Sequence, residues 1–172
     1  MRRIAVVGSG GAGKSTFARQ LGRLTGIRVI HLDSYFWKPG WVESQPEEWR
    51  TVQAELVSGD SWIIDGNYGG TFDLRFGRAD TIIVLALSRW RCTSRVLVRA
   101  LRDRGRDFQA DGCPEHFDLA FFRWVWRYPA DSRPRLDAAI DRHRGTARLI
   151  ELTSPGQVKA FLRAAASKGM DI

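Results

Sequence analysis

The chain has 172 residues, 44% of them hydrophobic, and a formal net charge of +8. That length fits one domain with a full core, and the composition excludes a disordered or low-complexity chain. No apolar run approaches the ~20 residues of a membrane span, so no membrane partner is expected.

The start, Met1-Arg2-Arg3 before Ile4–Val7, meets a glycine too soon for a signal peptide and reads as a first strand over 3–7. The next residues, Gly8-Ser9-Gly10-Gly11-Ala12-Gly13-Lys14-Ser15, spell G-x-x-x-x-G-K-[ST]. A helix over 14–24 follows, so strand, loop and helix are in register. Glycines let backbone N–H groups wrap a phosphate, and the helix adds its positive end. Lys14 would reach the β- and γ-phosphates and the Ser15 hydroxyl would hold Mg²⁺, with ATP lying across Gly8–Thr16. The alternative is an ordinary glycine-rich turn.

Further strands are expected at 27–32, 61–65, 80–87 and 147–152. Each is short, apolar on both faces and rich in Ile, Val and Leu, as in a buried parallel sheet. Helices are expected at 47–57, 89–104, 115–128, 133–143 and 155–166. The last starts on a capping box of Ser154, Pro155 and Gln157. Alternation of the two types predicts an α/β, doubly wound fold with five parallel strands. The segment 103–114 is the most loop-like.

Ligands of such a sheet sit at the carboxyl ends of its strands. The second strand ends at Asp33, a candidate for accepting a proton from an acceptor hydroxyl or orienting Mg²⁺; a turn or N-cap role is the alternative. The third ends in Asp65-Gly66-Asn67-Tyr68, with Asp65 the candidate Mg²⁺ carboxylate and a plain Asp-Gly turn the alternative. Trp37 and Trp41, in a loop with Pro39 and Gly40, would line the acceptor or simply pack; Trp49, Val52 and Leu56 have helical spacing and pack. Arg95 and Arg99 share one helix face, as do Arg123 and Arg127, and either pair would clamp phosphate charge or remain solvated. Cys113 and His116 lack the companions of a zinc site. The two cysteines imply no disulfide framework, hence a cytoplasmic protein. No Asn-Lys-x-Asp run is present to read guanine. Arginine supplies nearly all the positive charge, which fits either a nucleic-acid surface or an arginine-lined phosphate pocket.

Gly8–Ser15, Trp62-Ile63-Ile64-Asp65-Gly66, and Asp80–Leu87 followed by Arg95 and Arg99 resemble the adenylate-kinase-like nucleoside monophosphate kinases. The resemblance implies a P-loop NTPase of three layers, α/β/α, with a lid over about 103–128 and an acceptor-binding insertion over about 34–60 of a single domain, 1–172. It implies that Asp65 serves the Mg²⁺ shell and that Arg95 and Arg99 flank the adenine and phosphates. Arg123 and Arg127 are similar in place to lid arginines, and Ser154-Pro155-Gly156 lies where the last loop passes the adenine. The chain departs from the family after Asp-Gly, where Asn67-Tyr68 replaces Phe-Pro-Arg; Arg75 or Arg78 becomes the substitute for the missing arginine. Leu32-Asp33-Ser34-Tyr35 looks like the uridine-kinase group, whose Asp activates a sugar hydroxyl. Together with Trp37-x-Pro39-Gly40-Trp41 and Asp65-Gly66-Asn67-Tyr68, it is similar to bacterial proteins labelled topology-modulation proteins.

The function expected is ATP- and Mg²⁺-dependent transfer of the γ-phosphate to a small hydroxyl- or phosphate-bearing acceptor. Lys14, Asp33, Arg123 and Arg127 would be catalytic. Trp37, Trp41, Asn67, Tyr68 and Arg75 would bind the acceptor beside Asp33. Ser15 and Asp65 would hold the metal, and Arg95, Arg99 and Pro155 would join the nucleotide site. The alternatives are a nucleotide-gated DNA-binding protein and a nucleotide-binding protein without catalysis.

Overall fold

The computed structural model describes residues 1–106 and 110–167. Residues 107–109 of the expected lid and 168–172 of the expected domain lie outside them. The strands β1 (Arg3–Gly8), β2 (Val29–His31), β5 (Trp62–Asp65), β6 (Thr81–Leu85) and β7 (Arg148–Leu152) form one sheet in the order β2-β5-β1-β6-β7. All four neighbouring pairs are parallel. The crossovers are α1 (Lys14–Thr25), α3 (Pro46–Leu56), α5 (Arg89–Arg102), α6 (Leu119–Asp131) and α7 (Arg133–Asp141), with α8 (Pro155–Ser167) closing the chain.

Alternation along β1 splits the core in two. Ala5 and Val7 point into one cluster with Ile30, Ile64, Phe76 and Leu136, while Ile4 and Val6 point into another with Phe17, Leu21, Ile83 and Val125. The sheet is therefore covered on both faces, which gives the expected three layers. One strand differs from expectation. Leu152 is buried, but Arg148, Leu149 and Glu151 of β7 are exposed, because this strand pairs on one side only and forms an edge.

The insertion holds more structure than the sequence suggested. The short helix α2 (Asp33–Phe36) leads into a hairpin of β3 (Trp37–Lys38) and β4 (Val42–Glu43). After β5 come a 3-10 turn, Gly69–Thr71, and a short helix, α4 (Phe72–Phe76). The helix expected from 115 starts later, at Leu119. Asp118 caps it by accepting from Ala120 N at 2.8 Å and Phe121 N at 3.1 Å. The four residues before it belong to the preceding loop: Glu115 N donates to Arg106 O, and Glu115 O accepts from Gly105 N. At α8 the capping box forms, with Ser154 Oγ accepting from Gln157 N and Gln157 Oε1 accepting from Thr153 N.

Candidate active site

The phosphate loop leaves β1 at the middle of the sheet, where space is tight. A Cβ on Gly8, at φ 140, would stand 2.5 Å from Leu85 O, and one on Gly11, at φ 74, 2.2 Å from Cys92 O. Both positions require glycine on space and on backbone conformation. The loop thus lies pressed between β6 and the first turn of α5, with its N–H groups leading into the N-terminus of α1. Lys14 Nζ donates to Ser9 O at 3.1 Å. Burial pulls the Lys14 ammonium below its ordinary pKa; the charges of Asp33 and Asp65 oppose that shift and Arg99 adds to it. These four groups, from four separate elements, therefore share one electrostatic environment at the carboxyl end of the sheet.

Asp65 ends β5 and is 3% exposed. The register pairs it with His31, the last residue of β2, and His31 Nδ1 lies 2.7 Å from Asp65 Oδ1. Asp33 opens α2 two residues further on. It accepts a hydrogen bond from the Tyr68 hydroxyl on Oδ1 at 2.5 Å. Burial pushes the Asp33 carboxyl above the ordinary carboxylate range, against the Tyr68 hydrogen bond and the charge of Lys14.

The residues expected to bind the acceptor divide. Asn67 donates from Nδ2 to Gly8 O at 2.8 Å and accepts from Gly8 N at 3.1 Å, so its amide is bound to the phosphate loop. Trp37 packs edge-on to Phe36 with centroids 5.0 Å apart. Trp41 packs edge-on to Trp37 with centroids 5.4 Å apart, and its indole N–H reaches Pro114 O at 3.1 Å. Arg75 does not face an acceptor site, which corrects the expectation. It is 0% exposed, and its guanidinium donates to Gly66 O at 2.7 Å, to Asn67 O, and to Tyr68 O at 3.2 Å. Burial lowers its pKa to about 9, which leaves it charged at neutral pH. The missing family arginine is therefore not replaced by Arg75. The other candidate substitute, Arg78, is exposed and donates to Ser58 O at 3.0 Å.

On α5, Arg95 Nη1 lies 3.4 Å from Ala12 O, beside the phosphate loop. Arg99, half-buried, pairs with Glu115 of the loop before α6 at 3.1 Å. Arg123 and Arg127 are placed otherwise. The side of α6 that meets the loop carries Phe121, Trp124 and Val125, all within 3.3 Å of where a Gly10 Cβ would stand. Arg123 and Arg127 are exposed on the remaining surface, and Arg127 pairs with Asp131 at 2.7 Å. The structure brings together Lys14, Asp33, Asp65, Tyr68, Asn67, Arg95 and Arg99, and leaves Arg123 and Arg127 apart. Pro155 sits at the first turn of α8 beyond β7. Ser15 and Thr16 follow Lys14 on the first turn of α1. Cys113 is buried, with its thiol donating to Lys38 O, and no metal-ligating cluster of three or more His, Cys, Asp or Glu exists among the described residues.

Two functional candidates escaped the sequence reading. His31 carried no signal on its own, because its partner is set by strand register. Glu115 looked like part of a helix, although an acid three residues before an N-cap Asp was visible. The loop before α6 also meets the hairpin: Gly40 N donates to Gly112 O at 2.8 Å.

The chain matches no family model and no curated protein. It is similar in structure to a shikimate kinase from Acinetobacter baumannii in complex with shikimate, with a TM-score of 0.59 at 17% identity over 95% of this chain and 90% of that one. It is also similar to a gluconokinase from Sinorhizobium meliloti 1021, with a TM-score of 0.53 at 15% identity over 98% and 91% of the two chains. A shikimate kinase from Bacteroides thetaiotaomicron gives 0.52 at 15% identity over 96% of each. The fold is that of the P-loop kinases. The topology-modulation label gains no support from these structures.

Proposed function

We propose that the protein is an ATP- and Mg²⁺-dependent phosphotransferase acting on a hydroxyl of a small metabolite. One observation carries the reading: a glycine-cradled loop with no room for a Cβ at Gly8 or Gly11 leads into a buried Lys14, on whose charge Asp33, Asp65 and Arg99 from three further elements act. Perturbed groups gathered at a strand-end cleft mark a working site. The likeness to shikimate kinase and gluconokinase supports a small hydroxylated acceptor over DNA.

The residues present fit a nucleotide and its metal. The glycine cradle at Gly8 and Gly11 admits backbone approach, and Ser15 and Asp65 offer the hard oxygen donors Mg²⁺ takes, directly or through water. When bound, ATP supplies the transferable phosphoryl group and Mg²⁺ part of its countercharge. Asp33 takes the proton of the acceptor hydroxyl as the acceptor oxygen bonds to the γ-phosphorus and the bond to the leaving ADP oxygen breaks. Lys14 and Arg99 offset charge on the transferred group, a role that falls to Arg99 rather than to Arg123 or Arg127. Trp37 and Trp41 wall the acceptor side, and Arg95 and Pro155 border the nucleotide.

The test is ATP consumption with Mg²⁺ against nucleosides, nucleoside monophosphates, sugar acids and small alcohols, with Lys14→Ala as control. Stimulation by one acceptor class that the control abolishes supports the reading. ATP binding without stimulation by any acceptor removes it.

A further inference from the structure

We propose that Tyr68 is the positioning residue of the Asp33 base, its hydroxyl fixing the carboxylate and its own orientation being fixed by Phe36, Trp49 and Arg75. The proposal rests on the base role given to Asp33 above, and it takes Tyr68 out of the acceptor-binding set.

Tyr68 is held from every side by the protein. Its backbone sits at φ 42, a conformation a non-glycine residue adopts only when its surroundings impose it. The imposing contact is the buried Arg75, whose guanidinium gathers the carbonyls of Gly66, Asn67 and Tyr68. The ring packs against Phe36 and Trp49, with centroids 4.6 and 4.9 Å away. Its single hydroxyl proton is committed to Asp33 Oδ1 at 2.5 Å. The hydrogen bond therefore runs one way, from Tyr68 to Asp33. Burial and the neighbouring Asp33 charge push the phenol up, so it stays a donor across the working pH range.

A base is useful only if its carboxylate plane is held against the acceptor. Asp33 stands at the first turn of the four-residue helix α2, followed by the hairpin, so its own element gives little rigidity. The hydrogen bond from Tyr68 ties it to the Asp65–Tyr68 loop, and through Asn67 to Gly8 of the phosphate loop. Donor and acceptor sides of the site are thereby locked to one rigid bracket. Among the described residues, the other charged groups acting on Asp33 are Lys14 of α1, Asp65 of β5 and Arg99 of α5.

The experiment is a ¹³C side-chain carboxyl NMR titration of the full chain, in which the Asp33 signal is the one that Asp33→Asn removes. Tyr68→Phe keeps the ring between Phe36 and Trp49 and deletes only the donor. Loss of a hydrogen bond to the charged form moves the Asp33 midpoint up by about one pH unit. An unmoved midpoint in Tyr68→Phe overturns the positioning role and leaves the base reading standing. Asp33→Asn with undiminished acceptor-stimulated ATP turnover overturns the base reading and the positioning role with it.

Discussion

Asn67 grips Gly8 by both backbone groups, giving a proton to its carbonyl at 2.8 Å and taking one from its amide at 3.1 Å. The pair joins the end of β5 to the first residue of the phosphate loop, so the loop's entry is clamped by a side chain and not by ladder bonds alone. Asn67→Ala leaves both Gly8 groups without their partner, at about 1–3 kcal/mol. The expected outcome is a roughly tenfold loss of ATP affinity by calorimetry together with a lower Tm. Unchanged affinity would show that the clamp does not shape the loop.

Asp33 has a pKa raised by burial, so the folded state binds its proton more tightly than the unfolded chain does. Stability from this group is present at low pH and is lost as pH rises through the folded value, so at neutral pH the ionised Asp33 opposes folding. Asp33→Asn retains an oxygen to accept from Tyr68 and removes the charge. It should raise Tm at pH 7 by roughly 2–4 °C for each kcal/mol recovered, while turnover collapses. In the wild type, turnover should fall on the acid side above the ordinary carboxylate range. It should fall on the basic side below the ordinary lysine range, because burial lowers Lys14. Scanning calorimetry of the variant and a pH–rate profile check both; a Tm that drops would show that the Asp33 charge is better compensated than its burial implies.

The phosphate loop and the strand-end acids were legible in the sequence because each is a local pattern: Gly8–Ser15 is contiguous, and Asp33 and Asp65 each close an apolar run. The partners of those acids were not. His31 meets Asp65 only because β2 pairs with β5, and Asn67 meets Gly8 only because β5 pairs with β1, so both contacts depend on strand order. Arg75 was misread for the same reason. Its spacing offered an arginine near the acceptor, but α4 turns it inward under the Gly66–Tyr68 carbonyls. The late start of α6 follows from a choice helical periodicity does not register: Asp118 caps, and Glu115 is used by Arg99.

Arg99 and Glu115 form a partly shielded ion pair between α5 and the loop before α6, with side chains 18% and 5% exposed. Glu115 also has a buried carboxylate oxygen without a hydrogen-bond partner among the described residues. Removing one partner of such a pair leaves the other charge uncompensated. Glu115→Gln should therefore lower stability by about 1–3 kcal/mol in urea unfolding and, by releasing the Arg99 charge toward the phosphates, tighten ATP binding a few-fold. If stability and ATP affinity both stay at wild-type values, the pair does not couple that loop to the site.

The two arginine pairs of the chain make opposite predictions. Arg99 acts electrostatically on both Lys14 and Asp33, whereas Arg123 and Arg127 are exposed on α6. A charge aimed at the transferred group in a water-poor cleft is worth about 10²-fold or more in turnover. An exposed i,i+4 pair such as Arg127 with Asp131 contributes little to stability, because solvent screens it. Arg99→Ala should accordingly lower kcat by about two orders of magnitude with a smaller change in KM for ATP. Arg123→Ala and Arg127→Ala should each remain within about twofold of wild type, since neither side chain is aimed at the loop. Steady-state kinetics of the three variants decide the matter. A large kcat loss in Arg123→Ala or Arg127→Ala would mean that α6 swings these residues over the phosphates during turnover, and would return the charge-offsetting role to them.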